Sequence, residues 1–247
     1  QRIKRGLVRR LNNLKIAAMA KRVARLSPPP TGAPVVFFKA STGIDDLSWN
    51  SGFHLLASWA FRLQGIPVVY FACNSGMSHC VLGTNRDHVQ KDPPCKSCTY
   101  QSRTLYTGAN PHWFTFERDK ELEKALENLG VEELSKFQWK LNNNDVVARS
   151  REAVTKQSPT REEIASSQST LFAMTLPLGA LCLPGLRWVL RIHHLNDDES
   201  TRYLLQEYIL SAWNVAQRFS KFLDETNPQA VIVFNGMFFP EATARYV

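Results

Sequence analysis

Residues 228–245 read PQAVIVFNGMFFPEATAR, and this stretch decides the fold. Its apolar run, residues 230–234, is rich in β-branched side chains and too short for a helix, so it predicts a buried strand. The run stops at Asn235-Gly236, and a helix start follows at Pro240. A strand that turns into a helix is the unit from which α/β ligand sites are built. Asn235 and Gly236 therefore fall where a ligand is expected.

A strand–helix–strand pattern lies near the beginning of the chain. Residues 34–40 (PVVFFKA) predict a buried strand, residues 47–64 follow a helical pattern that ends at Gly65, and residues 66–72 form a second apolar run. A helix between two such strands favours a right-handed crossover and a parallel sheet. With a long helix predicted at 199–226 before the final strand, the order predicts an α/β fold, a Rossmann-like parallel sheet with flanking helices.

Charge divides the chain into a basic N-terminal segment and a neutral remainder. Nine of the 30 basic residues lie in the first 25 positions, and no acidic residue precedes Asp45. The rest of the chain holds 21 basic and 22 acidic residues, so the net charge of +8 belongs to the N-terminal segment. We expect residues 1–33 to form a basic amphipathic helix and a proline-rich linker. Residues 34–247 then form the α/β domain, with a loop-rich insert at about 73–175.

The basic helix has three interpretations that the sequence leaves open. Leucines at helical spacing between lysines and arginines are typical of a helix on an anionic membrane surface, here through residues 1–26. A solvated connecting helix and a nucleic-acid contact are the alternatives, and the neutral remainder does not favour nucleic acid. No stretch has the pattern of a membrane span or a signal peptide. We therefore expect a cytoplasmic protein, with peripheral attachment to the inner membrane if the helix binds it.

Four of the five cysteines lie close together in the sequence, at Cys73, Cys80, Cys95 and Cys98. The C-x-x-C spacing lets two thiolates bind one tetrahedral ion, and Cys80 with His79 or Cys73 completes the set. One interpretation is a structural zinc site with Cys80, Cys95, Cys98 and His79 as ligands. A redox dithiol, an iron–sulfur site and free thiols without a role are the alternatives.

The loop after the first strand carries further candidate residues. Ser41, Thr42 and Gly43 occupy the position at which a βα loop contacts a ligand. The glycine density of a dinucleotide site and the Gly-Lys-Ser/Thr of a P-loop are both absent from the sequence. Asp45 in this loop and Glu241 in the first turn of the last helix are candidate catalytic acids or bases. Each also suits the start of a helix, where a carboxylate is stabilising.

Two arginines complete the candidate substrate-binding set. Arg187 and Arg191 lie four residues apart, so on a helix they share one face and suit a phosphate or an anionic sugar. A solvated stripe of charge has the same spacing. The sequence contains no Ser/His/Asp array, zinc-protease motif or nucleophile elbow. An enzymatic role therefore rests on architecture and on a resemblance.

The chain resembles capsule-polysaccharide-type bacterial glycosyltransferases of the GT-B architecture. The resemblance is carried by the order of several short segments: LPLG (176–179), LRWVLR (186–191), DDESTR (197–202), VIVFNG (231–236) and PEA (240–242). It extends over about residues 34–247. The fold it implies is like the N-terminal domain of a GT-B enzyme, with a cysteine-containing loop insert.

This resemblance implies transfer of a sugar from a nucleotide-sugar donor to a cell-surface glycan or a lipid-linked acceptor. In GT-B enzymes the N-terminal half mostly holds the acceptor and the C-terminal half holds most of the nucleotide, often without a bound metal ion. The residues that would line the acceptor side are Ser41, Thr42, Gly43, Asn235, Gly236 and Glu241. No second Rossmann half follows in the sequence, so we expect a C-terminally truncated fragment that is inactive alone.

Two other classes of function remain open. A non-enzymatic, metal-stabilised module would bind a nucleotide or a sugar at the same strand–helix junctions. A thiol or iron–sulfur oxidoreductase would use Cys95 and Cys98 as its reactive pair.

Overall fold

The computed structural model describes residues 2–40, 48–141 and 174–247, with side chains from residue 6 onward. Its helices are α1 (Arg2–Leu26), α2 (Trp49–Leu63), α3 (Cys95–Leu105), α4 (Lys120–Leu126), α5 (Val131–Ser135), α6 (Leu178–Leu190), α7 (Glu199–Thr226) and α8 (Phe239–Tyr246). Its strands are β1 (Val35–Lys39), β2 (Val68–Cys73), β3 (His112–Phe114), β4 (Trp139–Leu141), β5 (Met174–Leu176) and β6 (Ala230–Ile232).

Four of the described strands form one parallel sheet in the order β3-β2-β1-β6. Val35 pairs with Val68 of β2 on one side and with Ala230 of β6 on the other. β4 and β5 form a separate antiparallel pair. The predicted α/β fold with a parallel sheet and flanking helices is confirmed, and its first strand, crossover helix and second strand lie where the sequence places them.

Both faces of this sheet are covered, which explains why β1 reads as a continuous apolar run. Val36 and Phe38 point into a core shared with α6, α7 and α8. Val35 and Phe37, which alternate with them, point into a second core formed with α1, α2 and α3. The molecule is therefore a three-layer α/β/α arrangement with the sheet in the middle.

The long helix α7 forms the centre of the larger core. Asp198 caps its start by accepting a hydrogen bond from the Thr201 N–H at 2.8 Å, and Asn227 ends it in a left-handed conformation (φ 44°). In the middle of the helix, the Phe219 ring lies 5.1 Å from the Phe38 ring and 4.9 Å from the Phe71 ring. These aromatic contacts fix α7 across β1 and β2.

Polar side chains on α7 hold the loops that follow β2 and β3. The Asn214 amide donates to the carbonyl oxygens of Gly76 at 2.9 Å and Thr115 at 3.0 Å, and its Oδ1 accepts from the Glu117 N–H at 3.2 Å. One turn earlier, Ser211 Oγ accepts from the Ser78 N–H at 3.1 Å. Buried backbone groups need such partners, so α7 determines the path of these loops.

The basic helix α1 packs against α2 and α3. Asn13 and Gln101 of α3 exchange two side-chain hydrogen bonds of 3.0 Å, and Ala20 is fully buried in the smaller core. Other apolar side chains of α1 remain exposed, among them Leu11 and Leu14. Within the described part of the chain, no helix combines the length and the apolar character needed to cross a membrane.

Three elements differ from the sequence-based expectation. β3 is a three-residue edge strand that was not predicted. α6 was not predicted and forms despite Pro184 inside it. α3 begins at Cys95, within the stretch predicted as a loop-rich insert and directly after Pro93-Pro94. Proline is compatible with the end of a helix where the N–H groups lack helical partners, so these prolines precede the helix without preventing it.

Candidate functional site

Two elements bring a lysine and a glutamate together at the carboxyl edge of the sheet. β1 and β6 are parallel neighbours, so the end of β1 at Lys39 lies beside the segment that follows β6. That segment leads into α8, whose first turn carries Glu241. Ligands in open α/β sheets bind at this edge, and the two charged groups are therefore placed where chemistry is expected.

Lys39 is a buried cation, with only 6% of its surface exposed. Burial lowers the pKa of its amine to about 8, and the nearby charge of Glu241 opposes that shift. Its Nζ lies 3.4 Å from Ser51 Oγ on the first turn of α2, to which it donates a hydrogen bond. The amine thus joins β1 to α2, and the charge of Glu241 on α8 acts on it without an ion pair within 4.0 Å between these two described residues.

The carboxyl group of Glu241 has a pKa close to neutrality. Burial raises it from its ordinary value to about 7, and the positive charge of Lys39 limits the rise. Glu241 is half-buried as a residue, and its carboxyl is the more enclosed part. A carboxyl that is partly ionised at neutral pH can accept a proton from a substrate hydroxyl and can return it.

His54 of α2 lies beneath this pair. Its ring packs edge-on against Phe37 at 5.6 Å and Phe234 at 6.1 Å. Burial, and then the charge of Lys39, lower the pKa of His54 to about 4, so the imidazole is neutral at physiological pH. Its Nδ1 is buried and has no hydrogen-bond partner within the described residues. A polar atom in that position is a further potential ligand contact.

Asn235 and Gly236 form the turn between β6 and α8. Gly236 has a φ of 71°, which favours glycine. Asn235 is exposed, and its Oδ1 accepts a hydrogen bond of 3.1 Å from the Met237 N–H. Arg245 donates to the Asn235 carbonyl oxygen at 3.3 Å. The Asn235 amide nitrogen is left to face solvent at the sheet edge, so the residue has a structural role that does not exclude ligand contact.

A small apolar cavity adjoins Glu241. It has a volume of about 30 Å³, and residues of three segments line it: Ala40, Met77, Cys80, Val81, Leu82, Phe238, Pro240 and Glu241. A carboxyl surrounded by such side chains loses hydration, which is the physical cause of its raised pKa. The cavity places Glu241 between the end of β1 and the loop after β2.

The remaining predicted substrate residues have different positions. Ser41, Thr42, Gly43 and Asp45 lie outside the described residues. Ala40, the last described residue before them, lines the cavity beside Glu241.

Arg187 and Arg191 lie one turn apart at the C-terminal end of α6, where the Arg191 N–H donates to the Arg187 carbonyl oxygen at 2.9 Å. α6 ends at Leu190, and Arg191 follows in a left-handed conformation (φ 61°). Its guanidinium lies over the Trp188 ring at 4.8 Å from the centroid. Arg187 is exposed in the last turn. Anion binding by the two arginines stays a prediction.

The cysteine-containing loop brings four thiols to one cavity. All five cysteines are free, and Cys73, Cys80, Cys95 and Cys98 line a single pocket between the end of β2 and the start of α3. Within residues 2–40, 48–141 and 174–247, however, no three Cys, His, Asp or Glu side chains already have the mutual geometry of a metal centre.

His79, the fourth predicted metal ligand, is directed toward α7. Its Nδ1 lies 3.7 Å from a carboxylate oxygen of Glu207, and its ring packs edge-on against Tyr203 at 5.5 Å. Glu207 is also paired with Arg118 at 2.9 Å, and these hydrogen bonds hold the pKa of Glu207 at about 2 although burial acts to raise it. His79 is not among the residues that line the cavity of the four cysteines, so its role as a metal ligand stays a prediction without support from this geometry.

Burial favours the protonated form of two of these thiols. It raises the pKa of Cys80 to about 12 and also raises that of Cys95. An attacking thiol needs the opposite shift, toward the thiolate at neutral pH. The raised pKa of Cys95 thus gives no support to the oxidoreductase hypothesis with Cys95 as the attacking thiol.

Comparison with known proteins does not identify the function of this site. No protein family, curated protein or solved structure matches the chain. The arguments about function therefore rest on the residues and their geometry.

Sequence reasoning missed two members of the cluster, Lys39 and His54. Lys39 was visible as the one charged residue in the predicted strand 34–40, and a lysine at the end of a doubly buried strand needs a partner. His54 lies on the apolar side of the helix predicted at 47–64. Both signals were present, but the partner, Glu241, is about 200 positions away from Lys39 in the chain.

Proposed function

We propose that this chain is the acceptor-side domain of a glycosyltransferase in which Glu241 is the general base. The observation that carries this proposal is the position of Glu241 beside an apolar cavity at the carboxyl edge of a parallel sheet, where burial raises its pKa to about 7 and the charge of Lys39 limits the rise. General bases work best when their pKa lies near the working pH. The resemblance in the order of elements between 176 and 242 supplies the class of reaction.

The proposed reaction is a displacement at the anomeric carbon of a nucleotide sugar. The acceptor hydroxyl oxygen forms the new glycosidic bond, and its proton passes to Glu241. The bond from the anomeric carbon to the nucleotide phosphate breaks, and the nucleoside diphosphate leaves with the electron pair. Lys39 acts through Glu241 in this scheme, because its positive charge limits the rise of the carboxyl pKa.

The proposed partners follow the same resemblance. The donor is a nucleotide sugar held mainly by a second domain, and the acceptor is a cell-surface glycan or a lipid-linked precursor in capsule-type polysaccharide synthesis of a bacterial envelope. α1, with basic residues and exposed leucines, would hold the protein peripherally on the inner membrane, near a lipid-linked acceptor.

The experiment is a donor-consumption assay on the protein encoded by the complete gene. A panel of UDP-, GDP- and dTDP-sugars is supplied, and release of nucleoside diphosphate is measured with water or a lipid extract as acceptor. We expect one donor to be consumed at a rate that increases as the pH rises through about 7, because the base must be ionised. Glu241→Gln should reduce this rate at least about 100-fold, the usual contribution of a general base.

A matched control is Glu127→Gln, which changes an exposed glutamate at the end of α4. This variant should keep the wild-type rate. Consumption that is equal in the Glu241→Gln variant and the wild type would remove Glu241 from the reaction. Failure to consume any donor in the panel would argue against the transferase class.

One observation favours a second candidate function, a metal-stabilised module that binds nucleotides or sugars without turnover. Four thiols around one cavity are typical of a loop that is cross-linked by a metal ion. Such a loop would serve a binding module as well as it would serve a transferase. One result distinguishes the two functions. The module would bind a nucleotide sugar in calorimetry but would not release nucleoside diphosphate from it.

A further inference from the structure

The cavity between β2 and α3 is large enough for about one water-sized occupant. Its volume is about 20 Å³, and a cavity needs roughly 10–15 Å³ on this measure to hold one water molecule. Its walls include four cysteines that come from three separate segments: the end of β2, the following loop and the first turn of α3. The remaining walls are mostly apolar, with Met77, Leu82 and the two prolines before α3.

A backbone N–H group points at one of the sulfur atoms. Cys73 begins a Cys-x-x-Gly turn in which the Gly76 N–H donates to Cys73 Sγ at 3.2 Å. Cys80 begins a second Cys-x-x-Gly turn, in which the Gly83 N–H donates to the Cys80 carbonyl oxygen at 3.0 Å. N–H donors to sulfur stabilise a thiolate over a thiol, and they are the usual outer contacts of metal-bound cysteine.

The other two sulfurs lie at the start of α3. Cys95 is the first residue of this 11-residue helix, and Cys98 follows one turn later. The positive end of the helix dipole favours negative charge there. Ser75, in the first Cys-x-x-Gly turn, lines the same cavity as Cys95, so the β2 turn and α3 meet there.

Gly83 is needed for the close approach of the two parts of the loop. A Cβ atom at this position would lie 2.7 Å from Pro93 Cβ and 2.9 Å from Cys80 Sγ. Contacts that short do not occur, so any side chain would push the Cys80 turn away from the residues that precede Cys95. The glycine therefore permits the four sulfurs to share one cavity.

We propose that Cys73, Cys80, Cys95 and Cys98 bind one Zn²⁺ ion as a tetrahedral tetrathiolate centre. The four thiols lose their protons on binding, so zinc uptake releases protons and weakens on acidification. All four coordination positions are filled by the protein, which makes the centre structural and not catalytic. The cysteine side chains must change to other staggered rotamers to bring their sulfurs to the ion, since their present geometry is not that of a formed metal centre.

The proposal replaces His79 by Cys73 in the ligand set. His79 faces Glu207 and Tyr203 on α7, whereas Cys73 lines the cavity. The centre would fasten the end of β2 to α3 and fix the loop that carries Cys80. That loop also lines the cavity beside Glu241 through Cys80 and Leu82. The inference does not depend on the proposed function, because a transferase and a binding module gain the same rigidity.

The first test is metal analysis of the complete protein purified without added metal or chelator. We expect about one zinc per chain, in line with a single four-ligand site. Replacement of zinc by Co²⁺ should give the strong visible and near-ultraviolet absorption of a tetrahedral cobalt thiolate. Cys73→Ser should lower the zinc affinity at least tenfold, while His79→Gln and the control Cys182→Ala, in the core of α6, should keep full zinc content.

A second measurement keeps the proposal testable if the cysteine variants do not fold. Native wild-type protein is alkylated with iodoacetamide before and after treatment with a zinc chelator, and the modified cysteines are mapped by mass spectrometry. Zinc should protect Cys95 and Cys98, and the chelator should make them reactive. Equal modification in both samples, absence of zinc, or iron with acid-labile sulfide would each overturn the assignment. Loss of zinc in His79→Gln with retention in Cys73→Ser would overturn the ligand set.

Discussion

Lys39 is the residue around which the candidate site is organised. A buried amine at the end of a central strand loses much of its hydration, and the structure compensates with Ser51 and Glu241. Each charge alone would be unfavourable in this position, so the pair is better explained by function than by stability. The raised pKa of Glu241 and the lowered pKa of Lys39 share the same cause, which is burial.

Asn235 allows a residue-scale test that separates a turn-forming role from ligand contact. In Asn235→Asp the Oδ1 atom that accepts from the Met237 N–H is retained, while the amide donors are lost. We expect the free energy of unfolding to change by less than about 0.5 kcal/mol, as is usual for an exposed position, and the rate of sugar transfer to fall at least about tenfold. Urea denaturation and the donor-consumption assay measure the two quantities.

Asn235→Ala is the companion variant. It removes the turn bond as well and should cost about 1 kcal/mol of stability, together with the same loss of transfer. A wild-type transfer rate in Asn235→Asp would show that Asn235 only shapes the turn.

At the scale of elements, α7 holds the loops that line the cavity beside Glu241 and the cavity of the four cysteines. Asn214 satisfies two carbonyl groups and one N–H group of the loops after β2 and β3. Asn214→Ala should lower the free energy of unfolding by about 3 kcal/mol, because buried backbone groups are left without partners. Urea denaturation followed by circular dichroism measures the loss.

The matched control for this variant lies on the same helix. Gln217 is exposed on α7, and Gln217→Ala should change stability by no more than about 0.5 kcal/mol. Equal stabilities of the Asn214 and Gln217 variants would mean that the Asn214 hydrogen bonds do not stabilise the loops after β2 and β3.

Elements with strong local signals were predictable, and those that depend on distant contacts were not. β1, α2, β2 and α7 have continuous apolar runs or clear caps, so local sequence specifies them. β3 is a short edge strand that forms because β2 offers a free partner, which no local pattern reveals. α6 keeps its helical form around Pro184 because it packs against α7 and α8.

The site shows the same division between local and tertiary information. The strand–turn–helix at residues 230–245 pointed to Asn235, Gly236 and Glu241, because topology places such turns at the ligand edge. Lys39 as the partner of Glu241, and the choice of Cys73 over His79, required knowledge of which segments become neighbours. Those neighbours are separated by long stretches of chain, and sequence spacing carries no information about them.

At the scale of the whole molecule, the two cavities lie side by side on one edge of the sheet. They share Ala40, Met77, Cys80 and Leu82 as lining residues. The four cysteines, Lys39 and Glu241 therefore lie in one region. α1 packs against α2 and α3 on the face of the sheet opposite α7. If Glu241 acts as the proposed general base, a rigid loop beside it would meet a common requirement of preorganised sites.

The exposed side of α1 gives a prediction about membrane attachment. We expect the protein to sediment with phosphatidylglycerol vesicles but not with phosphatidylcholine vesicles, because basic residues attract an anionic surface. Leu11 and Leu14 are 50% and 68% exposed. Changing both to glutamine should weaken vesicle binding at least about tenfold, since partial burial of two leucines is worth about 1.5–3 kcal/mol.

Two controls define this vesicle experiment. Raising the salt concentration should weaken binding of the wild type, because the attraction is partly electrostatic. Equal binding to both vesicle types, or unchanged binding of the double variant, would favour the interpretation of α1 as a helix that only packs on the domain.

The most direct test of the central claim is a measurement of the Glu241 pKa by ¹³C NMR of the side-chain carboxyl, assigned by its absence in Glu241→Gln. In the wild type we expect titration at about 7. In Lys39→Met it should move to higher pH, because the positive charge that favours the carboxylate is gone. Titration near the ordinary glutamate value of 4.5 in both proteins would contradict a general base at this edge of the sheet.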